Sequence, residues 1–199
     1  MDGYEAQPLY LNVPGLNGSG VNHWQTLWEQ HRGDVRRVRQ INWQDPRPSE
    51  WMRQLNAAII ASSGPVLLIA HSLGCHVIAS WAAVIAQGYG RPVAGALLVA
   101  PPEIERQDAH PILQRFTPRP RQPLPFPSIL VASRNDRYAT IEESRAMARV
   151  WQSHLVDIGL KGHINADSAL GLWPDGLKLL DQLAEVALRR ANGPFRRVA

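Results

Sequence analysis

The sequence predicts an α/β fold, a compact one in which a mostly parallel sheet of about six strands carries helices on both faces. Short apolar runs alternate with segments whose apolar residues recur at helical spacing along the whole chain. The run at 93–100 is continuously apolar, which is typical of a strand buried on both faces of a parallel sheet. Glycine and proline separate these runs, as expected for the turns of such a fold.

The strands are predicted from short apolar runs that end at turn-forming residues. The first ends at Pro14-Gly15, and a loop with three glycines, 14–20, follows it. The second is the weakest of the set because arginines interrupt its apolar pattern. The predicted strands are 9–13, 34–41, 65–70, 93–100, 128–132 and 154–158.

The helices are predicted from apolar residues at helical spacing and from capping residues. Asn22 is the expected N-cap of the first helix, which carries Trp24, Leu27 and Trp28 on one face. The last helix is expected to close at Gly193-Pro194, since glycine and proline commonly end helices. The later predicted helices are 48–62, 73–86 (ending at Gly88), 140–151 and 176–191.

Length and composition narrow the class of protein. The 199 residues fit one domain, 1–199, with mobile ends at about 1–7 and 194–199. The single cysteine, Cys75, excludes an intrachain disulfide and a cysteine metal cluster. No apolar run approaches ~20 residues and no signal-peptide pattern opens the chain, so we expect a cytoplasmic protein with no membrane association.

The charge pattern does not indicate nucleic-acid binding. The formal net charge is +4, and arginine makes up nearly all of the basic residues. These residues are mostly scattered along the chain. A mildly basic solvated surface is the simpler interpretation, and we expect no nucleic-acid partner. The pattern leaves the oligomeric state open.

The most informative motif surrounds Ser72. It lies in Ile69-Ala70-His71-Ser72-Leu73-Gly74, directly between a predicted strand and a predicted helix. This is the setting of a nucleophile elbow, a turn so tight that the residues two before and two after the serine must be small. Ala70 and Gly74 meet that requirement, although Ala70 replaces the usual first glycine. An elbow predicts an acid and then a histidine, each after a later strand.

Both partners occur in the expected chain order. Asp136 follows the fifth predicted strand, and His163 lies in a glycine-flanked loop after the sixth. A histidine can take the serine proton and return it to a leaving group, while a carboxylate fixes the imidazole tautomer. Asp157 is the nearest rival acid, but it falls inside the last strand. We therefore predict Ser72, Asp136 and His163 as a catalytic triad.

Two backbone N–H groups are expected to form an oxyanion hole. One is that of Leu73, at the start of the helix after the serine. The other should come from the glycine loop, with Leu16 first and Asn17 as the alternative. His23 follows that loop and either contacts substrate or serves only to start the helix.

The chain resembles the small α/β-hydrolase family of retinoblastoma-binding-protein-nine-like and YdeN-like serine hydrolases. The resemblance spans most of the chain, and its most specific segment is the loop from Gly162-His163 to Asp175-Gly176. It implies a compact hydrolase with little or no cap and with Ser72, Asp136 and His163 as its triad. One departure is Arg137-Tyr138, which stands where proline and an aromatic residue would be expected. The other segments that carry the resemblance are 14–20 with His23-Trp24 and Trp28-Glu29, 70–75 and 133–136.

The expected function is that of a serine hydrolase which cleaves an ester or amide of a small molecule through an acyl-enzyme, without a metal or organic cofactor. The alternative is a catalytically weak protein-binding module that has kept this fold. The proline-rich segment 101–127 is predicted to form a thin, extended cover over an open site, which would favour small acyl groups. The alternative for this segment is a loop that merely crosses the surface.

Overall fold

The computed structural model describes residues 8–84 and 93–191. Their core is one six-stranded sheet in the order β2-β1-β3-β4-β5-β6, and every pair of neighbouring strands is parallel. The strands are β1 Leu9–Val13, β2 Val35–Arg37, β3 Val66–His71, β4 Val93–Val99, β5 Ser128–Ala132 and β6 His154–Asp157. The helices are α1 Trp24–His31, α2 Pro48–Ile60, α3 Leu73–Val84, α4 Pro111–Gln114, α5 Ile141–Trp151 and α6 Pro174–Ala191, with a 3₁₀ turn at Ala166–Ser168.

The helices cover both faces of the sheet, as the sequence predicts. Successive side chains of a strand point to opposite faces, so Leu68 of β3 packs in one apolar cluster while Leu67 and Ile69 pack in another. The first cluster takes in the apolar faces of α2, α3 and α5, and the second those of α1 and α6. The chain therefore has a buried core on each side of the sheet.

Several predicted boundaries shift in the structure. Asn22 is not the N-cap of α1; His23 is, because its ring Nδ1 accepts a hydrogen bond from the Gln25 N–H, at 3.2 Å. The weak second strand shortens to β2, and α6 begins at Pro174 rather than Gly176. The short α4 and the 3₁₀ turn were not predicted, since neither is long enough to show a period.

Some predictions fall outside the described residues. These are the end of the third helix near Gly88, the close of the last helix at Gly193-Pro194, and the expected mobile ends at 1–7 and 194–199. Over 8–84 and 93–191, no helix is long and apolar enough to cross a membrane.

The strand order determines where a site can form. The chain leaves β1 for β2 at one edge, and then returns past β1 to build β3 on its other side. In open parallel sheets, crevices form at the carboxyl ends of strands where the order reverses in this way. The glycine loop follows β1 and Ser72 follows β3, so both lie at this reversal point.

Candidate active site

Ser72 occupies a strained turn between β3 and α3. Its φ is +54°, a left-handed conformation that is unfavourable for a residue with a side chain. The Ser72 N–H donates to the Val99 carbonyl of β4 at 2.9 Å, and the Ser72 carbonyl accepts from the Cys75 N–H at 3.0 Å. These bonds hold the turn in a shape that lifts the hydroxyl above the end of the sheet, as in a nucleophile elbow.

The small residues around the elbow have a steric cause. A Cβ added to Gly74 would lie 2.0 Å from the Val13 carbonyl oxygen, a distance that no side chain tolerates. A Cβ added to Gly15 would lie 2.8 Å from the Ser72 Cβ and 3.0 Å from the Leu73 nitrogen. The glycine loop after β1 and the elbow after β3 are therefore in direct contact.

The structure brings Ser72, Asp136 and His163 together. His163 Nε2 lies 2.9 Å from the Ser72 Oγ, and His163 Nδ1 lies 2.8 Å from Asp136 Oδ2. A neutral imidazole that donates from Nδ1 to a carboxylate presents a bare Nε2, which can accept the serine proton. The Asp136 side chain is 4 % exposed and that of His163 10 %, so the contact is largely shielded from water.

The loop after β5 orients the acid without the expected proline. Asp136 Oδ1 accepts the Tyr138 N–H at 2.9 Å, which closes a turn by a side-chain-to-backbone bond. Asp136 therefore uses one oxygen for the backbone and the other for His163. The departure at Arg137-Tyr138 leaves the position of the acid intact. Asp157, the rival acid, instead binds Arg134 at 2.7 Å and lies away from Ser72 at the end of β6.

Two neighbours of His163 were not predicted from the sequence. His71 Nε2 donates to the His163 carbonyl at 2.9 Å, which ties the end of β3 to the histidine loop. Burial, together with His163 and His23, holds the pKa of His71 well below its usual value, so this histidine adds no charge. The Tyr138 ring packs on the other side of His163, with ring centroids 4.4 Å apart.

Tryptophans hold the histidine loop from behind. Trp24 Nε1 donates to the Ile164 carbonyl at 2.8 Å, and Trp28 Nε1 to the Leu172 carbonyl at 2.7 Å. Trp173 packs against both indoles, with ring centroids 5.1 and 5.9 Å away. The tryptophans that the sequence places on one face of α1 are thus core residues, and they also brace the loop that carries His163.

The expected oxyanion donors differ in their availability. The Asn17 N–H donates to the Trp43 carbonyl at 2.9 Å, so the alternative donor is occupied. Among the described residues, neither Leu16 nor Leu73 has a backbone acceptor for its N–H. Leu16 lines the same cavity as Ser72, and Gly15 touches the elbow. The geometry therefore favours Leu16 over Asn17 as the partner of Leu73.

His23 starts α1, which is one of the two roles that the sequence left open, and its position at the cavity keeps substrate contact as a prediction. It caps α1 through Nδ1, and its ring also forms part of the cavity wall. Burial, with smaller contributions from Arg37 and His163, lowers the pKa of His23 to about 4. His23 is therefore neutral at neutral pH, with its proton on Nε2, and Nε2 has no partner in the described part of the chain.

Ser72 and His163 open into a cavity of about 730 Å³. The glycine loop forms one wall, and residues 103–113 form the opposite wall. The segment between β4 and β5 is described throughout and its only helix is the four-residue α4, so this segment places no helical cap over the cavity. The first half of the proline-rich segment thus forms a wall of the cavity, which argues against a loop that merely crosses the surface.

The second half of that segment has a different role. Arg119 is buried and pairs with Glu103, and Arg121 pairs with Glu105 at 2.6 Å. Arg115 pairs with Asp45. None of these three arginines lines the cavity. The pairs of Arg119 and Arg121 tie this half to the first half of the segment, and the pair of Arg115 ties it to the loop before α2.

Metal ligands are not grouped at this site. Over the described ranges, the structure contains no cluster of three histidine, cysteine or acidic side chains that could hold a metal ion.

Comparisons with known proteins agree with this architecture. A YdeN-like hydrolase from Pectobacterium atrosepticum is 32% identical, with a TM-score of 0.80 over 91% of this chain and 92% of that one. The ydeN gene product of B. subtilis is 20% identical, with a TM-score of 0.71 over 90% of this chain and 100% of that one. Est1E from Butyrivibrio proteoclasticus, solved with ferulic acid bound, is 16% identical, with a TM-score of 0.64 over 92% of both chains. The last two likenesses show the fold alone.

A family model supplies the assignment. No curated protein matches the chain. The model described as serine hydrolase matches residues 10–182, which run from β1 into α6 and include Ser72, Asp136 and His163. With this match and the 32% identity over nearly the whole chain, the chain belongs to the serine hydrolase family and has the α/β-hydrolase fold of its YdeN-like members.

Proposed function

We propose that this protein hydrolyses an ester or amide of a small molecule through a covalent acyl-enzyme on Ser72. The observation that carries the proposal is the continuous hydrogen-bonded chain from Asp136 through His163 to Ser72, with distances of 2.8 and 2.9 Å. A serine hydroxyl is a weak nucleophile until a base accepts its proton, and His163 Nε2 lies within reach to do so.

In the first half of the reaction, Ser72 Oγ attacks the carbonyl carbon as its proton passes to His163 Nε2. Asp136 stabilises the imidazolium that results. The carbonyl oxygen becomes an oxyanion, which the Leu73 and Leu16 N–H groups are placed to bind. The C–O or C–N bond to the leaving group then breaks, and His163 gives its proton to the departing atom.

In the second half, water replaces the leaving group. His163 takes a proton from the water, and the water oxygen attacks the acyl carbon of the ester on Ser72. Collapse of this second intermediate returns the proton to Ser72 Oγ and releases a carboxylic acid. The same donors serve both oxyanions, so one site performs two similar steps.

The shape of the cavity supports small or exposed acyl groups as substrates. Residues 103–113 form a wall rather than a lid, and the cavity of about 730 Å³ opens to solvent between that wall and the glycine loop. Esters of graded acyl length test this proposal. We expect short acyl chains to be hydrolysed faster than long ones, with no increase in rate above the micellar threshold. A jump in rate at that threshold would contradict the open site.

Labelling with a fluorophosphonate tests the nucleophile. Wild-type protein should be labelled covalently, and Ser72→Ala should abolish labelling while circular dichroism shows an unchanged fold. Ser80→Ala is the matched control, because Ser80 lies two turns further along α3 and outside the cavity. Labelling that persists in Ser72→Ala would move the nucleophile elsewhere. A folded wild-type protein that takes no label would favour the binding module.

A further inference from the structure

Arg137 stands out among the charged residues of the cavity because its charge is not neutralised. It lies directly after Asp136, and its side chain is exposed at the cavity wall. Its guanidinium carbon sits 4.8 Å from the centre of the Tyr138 ring. Within residues 8–84 and 93–191, no carboxylate lies within ion-pair distance of it.

The two acidic residues that line the cavity with Ser72 are already paired with arginines. Glu103 is buried against Arg119, and Asp108 binds Arg106 at 2.8 Å. Asp167 accepts a hydrogen bond from a neighbouring asparagine amide at 3.2 Å and forms no ion pair in the described ranges. Of the arginine, lysine and acidic side chains that line the cavity with Ser72, Arg137 is therefore the one without an ion pair in the described ranges.

A second cavity, of about 490 Å³, adjoins the first. Arg137, Tyr138 and His163 line both, while Ser72 lines only the first. Lys161 adds another cation to the second cavity, and Asp167 is its one acidic residue. The balance of charge around this second cavity is positive, and Arg137 lines both this cavity and the one that contains the predicted nucleophile.

The position of His163 assigns this region to one side of the reaction. In the proposed mechanism, which this inference assumes, His163 Nε2 must give its proton to the leaving group. The leaving group therefore lies against His163, and the second cavity extends from that residue. Arg137 and Tyr138 flank His163 on this side, with the Tyr138 and His163 ring centroids 4.4 Å apart.

From this arrangement we propose that Arg137, assisted by Lys161, binds an oxyanion on the leaving group of the substrate. A guanidinium presents a planar pair of donors that matches a carboxylate or a phosphate. The preferred substrates are then esters or amides whose leaving alcohol or amine carries such a group. Arg137 acts on specificity and takes no part in proton transfer.

A pair of esters that differ only in charge tests the proposal. In 4-acetoxybenzoate the leaving phenol carries a carboxylate, and in 4-acetoxybenzamide a neutral amide of the same shape. The measured quantity is the ratio of kcat/KM for the anionic ester to that for the neutral ester. The two esters differ in intrinsic reactivity, but this difference is the same for every variant. It therefore cancels when the ratio for a variant is compared with the ratio for wild type. 4-Acetoxyphenyl phosphate then distinguishes a preference for phosphate from one for carboxylate.

The variants make the test specific. We expect Arg137→Gln to lower the ratio about tenfold and Lys161→Gln about threefold, as charge-assisted contacts in a solvated site would. Arg134→Gln is the matched control, because Arg134 lies on the same loop but pairs with Asp157 and lines neither cavity. Added salt should reduce the wild-type ratio, since it screens exposed charges. A ratio that Arg137→Gln leaves unchanged, or that Arg134→Gln lowers equally, would overturn the proposal.

Failure of this inference is distinguishable from failure of the proposed function. Hydrolysis of the acetyl ester of 4-acetoxybenzamide, the neutral compound, and labelling of Ser72 depend on the proposed function alone. If neither ester is turned over, the role of Arg137 can still be decided by binding. Calorimetry would measure the affinities of 4-hydroxybenzoate and 4-hydroxybenzamide for wild type and for Arg137→Gln. Equal affinities for the two compounds in wild type would refute it.

Discussion

Replacing Asp136 by asparagine should disable the enzyme without unfolding it. Asp136 accepts two hydrogen bonds, from the Tyr138 N–H at Oδ1 and from His163 Nδ1 at Oδ2. An asparagine has one oxygen and one NH₂ group. If its oxygen stays on the Tyr138 N–H, its NH₂ faces His163 and donates to Nδ1. The imidazole proton then moves to Nε2 and points at Ser72. Nε2 can no longer accept the serine proton, so His163 cannot act as a base.

The size of the effect follows from the cost of restoring the active tautomer. That tautomer would lose a charge-assisted hydrogen bond, about 1.5–3 kcal/mol, and would place two donors face to face, about 1–3 kcal/mol. The sum is roughly 2.5–6 kcal/mol, and kcat falls roughly tenfold for each 1.36 kcal/mol. The same change in a well-studied serine protease lowers kcat about 10⁴-fold. We therefore expect kcat to fall on the order of 10³-fold.

The assay combines ester turnover with a direct view of the ring. Nitrogen NMR of labelled histidine should show the His163 proton on Nδ1 in wild type and on Nε2 in Asp136→Asn. Asp157→Asn is the matched control, because it removes the rival acid at the end of β6, and it should change kcat less than twofold. The reasoning is refuted if Asp136→Asn keeps near-wild-type turnover, or if Asp157→Asn is the damaging change.

The other predictions concern stability and reactivity. Gly74→Ala should prevent folding or strongly lower the urea midpoint, because its Cβ would lie 2.0 Å from a β1 carbonyl oxygen. Gly33→Ala is the control: nothing lies within 4 Å of its Cβ, so its free energy of unfolding should stay within about 0.5 kcal/mol of wild type. Equal midpoints for the two variants would contradict this. His23 and His76 have pKa values lowered to about 4, so the unfolded chain binds more protons than the native one between about pH 4 and 6.5, and stability is lost as the pH falls through that window. Between pH 7 and pH 5, protonation of each histidine should lower the free energy of unfolding, measured by urea titration, by about 2 kcal/mol. His76→Gln should make this free energy depend less steeply on pH, and an unchanged slope in that variant would contradict the role of His76. Cys75 is buried and burial raises the pKa of its thiol, so iodoacetamide should not modify it in the native state; rapid alkylation would contradict that burial.

Much of the fold could be predicted from the sequence because the signals are local. A buried parallel strand such as β4 is apolar throughout its length, and the tightness of the elbow demands small residues beside Ser72. The order of serine, acid and histidine along the chain, each after a strand, follows from the placement of sites at strand ends. These features depend on neighbouring residues, so composition and spacing are enough to find them.

The missed features depend on contacts between distant segments. Asn22 is a better N-cap than His23 by residue type, but His23 sits where its Nδ1 reaches the Gln25 N–H. The sequence placed Leu16 before Asn17 but gave no physical reason to exclude Asn17, because that reason is the Trp43 carbonyl, which occupies the Asn17 N–H. The proline at the acid loop proved unnecessary because Asp136 closes the turn with its own oxygen.

The sequence by itself therefore determined the class of fold, the succession of strands and helices along the chain, and the choice of three residues, Ser72, Asp136 and His163, that the structure brings into contact, because each of these is written in local residue types and spacing. Only the tertiary structure decided, for the described residues, which backbone N–H groups remain free, which half of the proline-rich segment lines the cavity, and which of the two arginines at the cavity has no ion pair. The physical reason is that a hydrogen-bonding or charged group is available to a substrate only if no other part of the chain has engaged it. Arg119 and Arg137 are both arginines in loops, yet one is buried against Glu103 and the other faces the cavity.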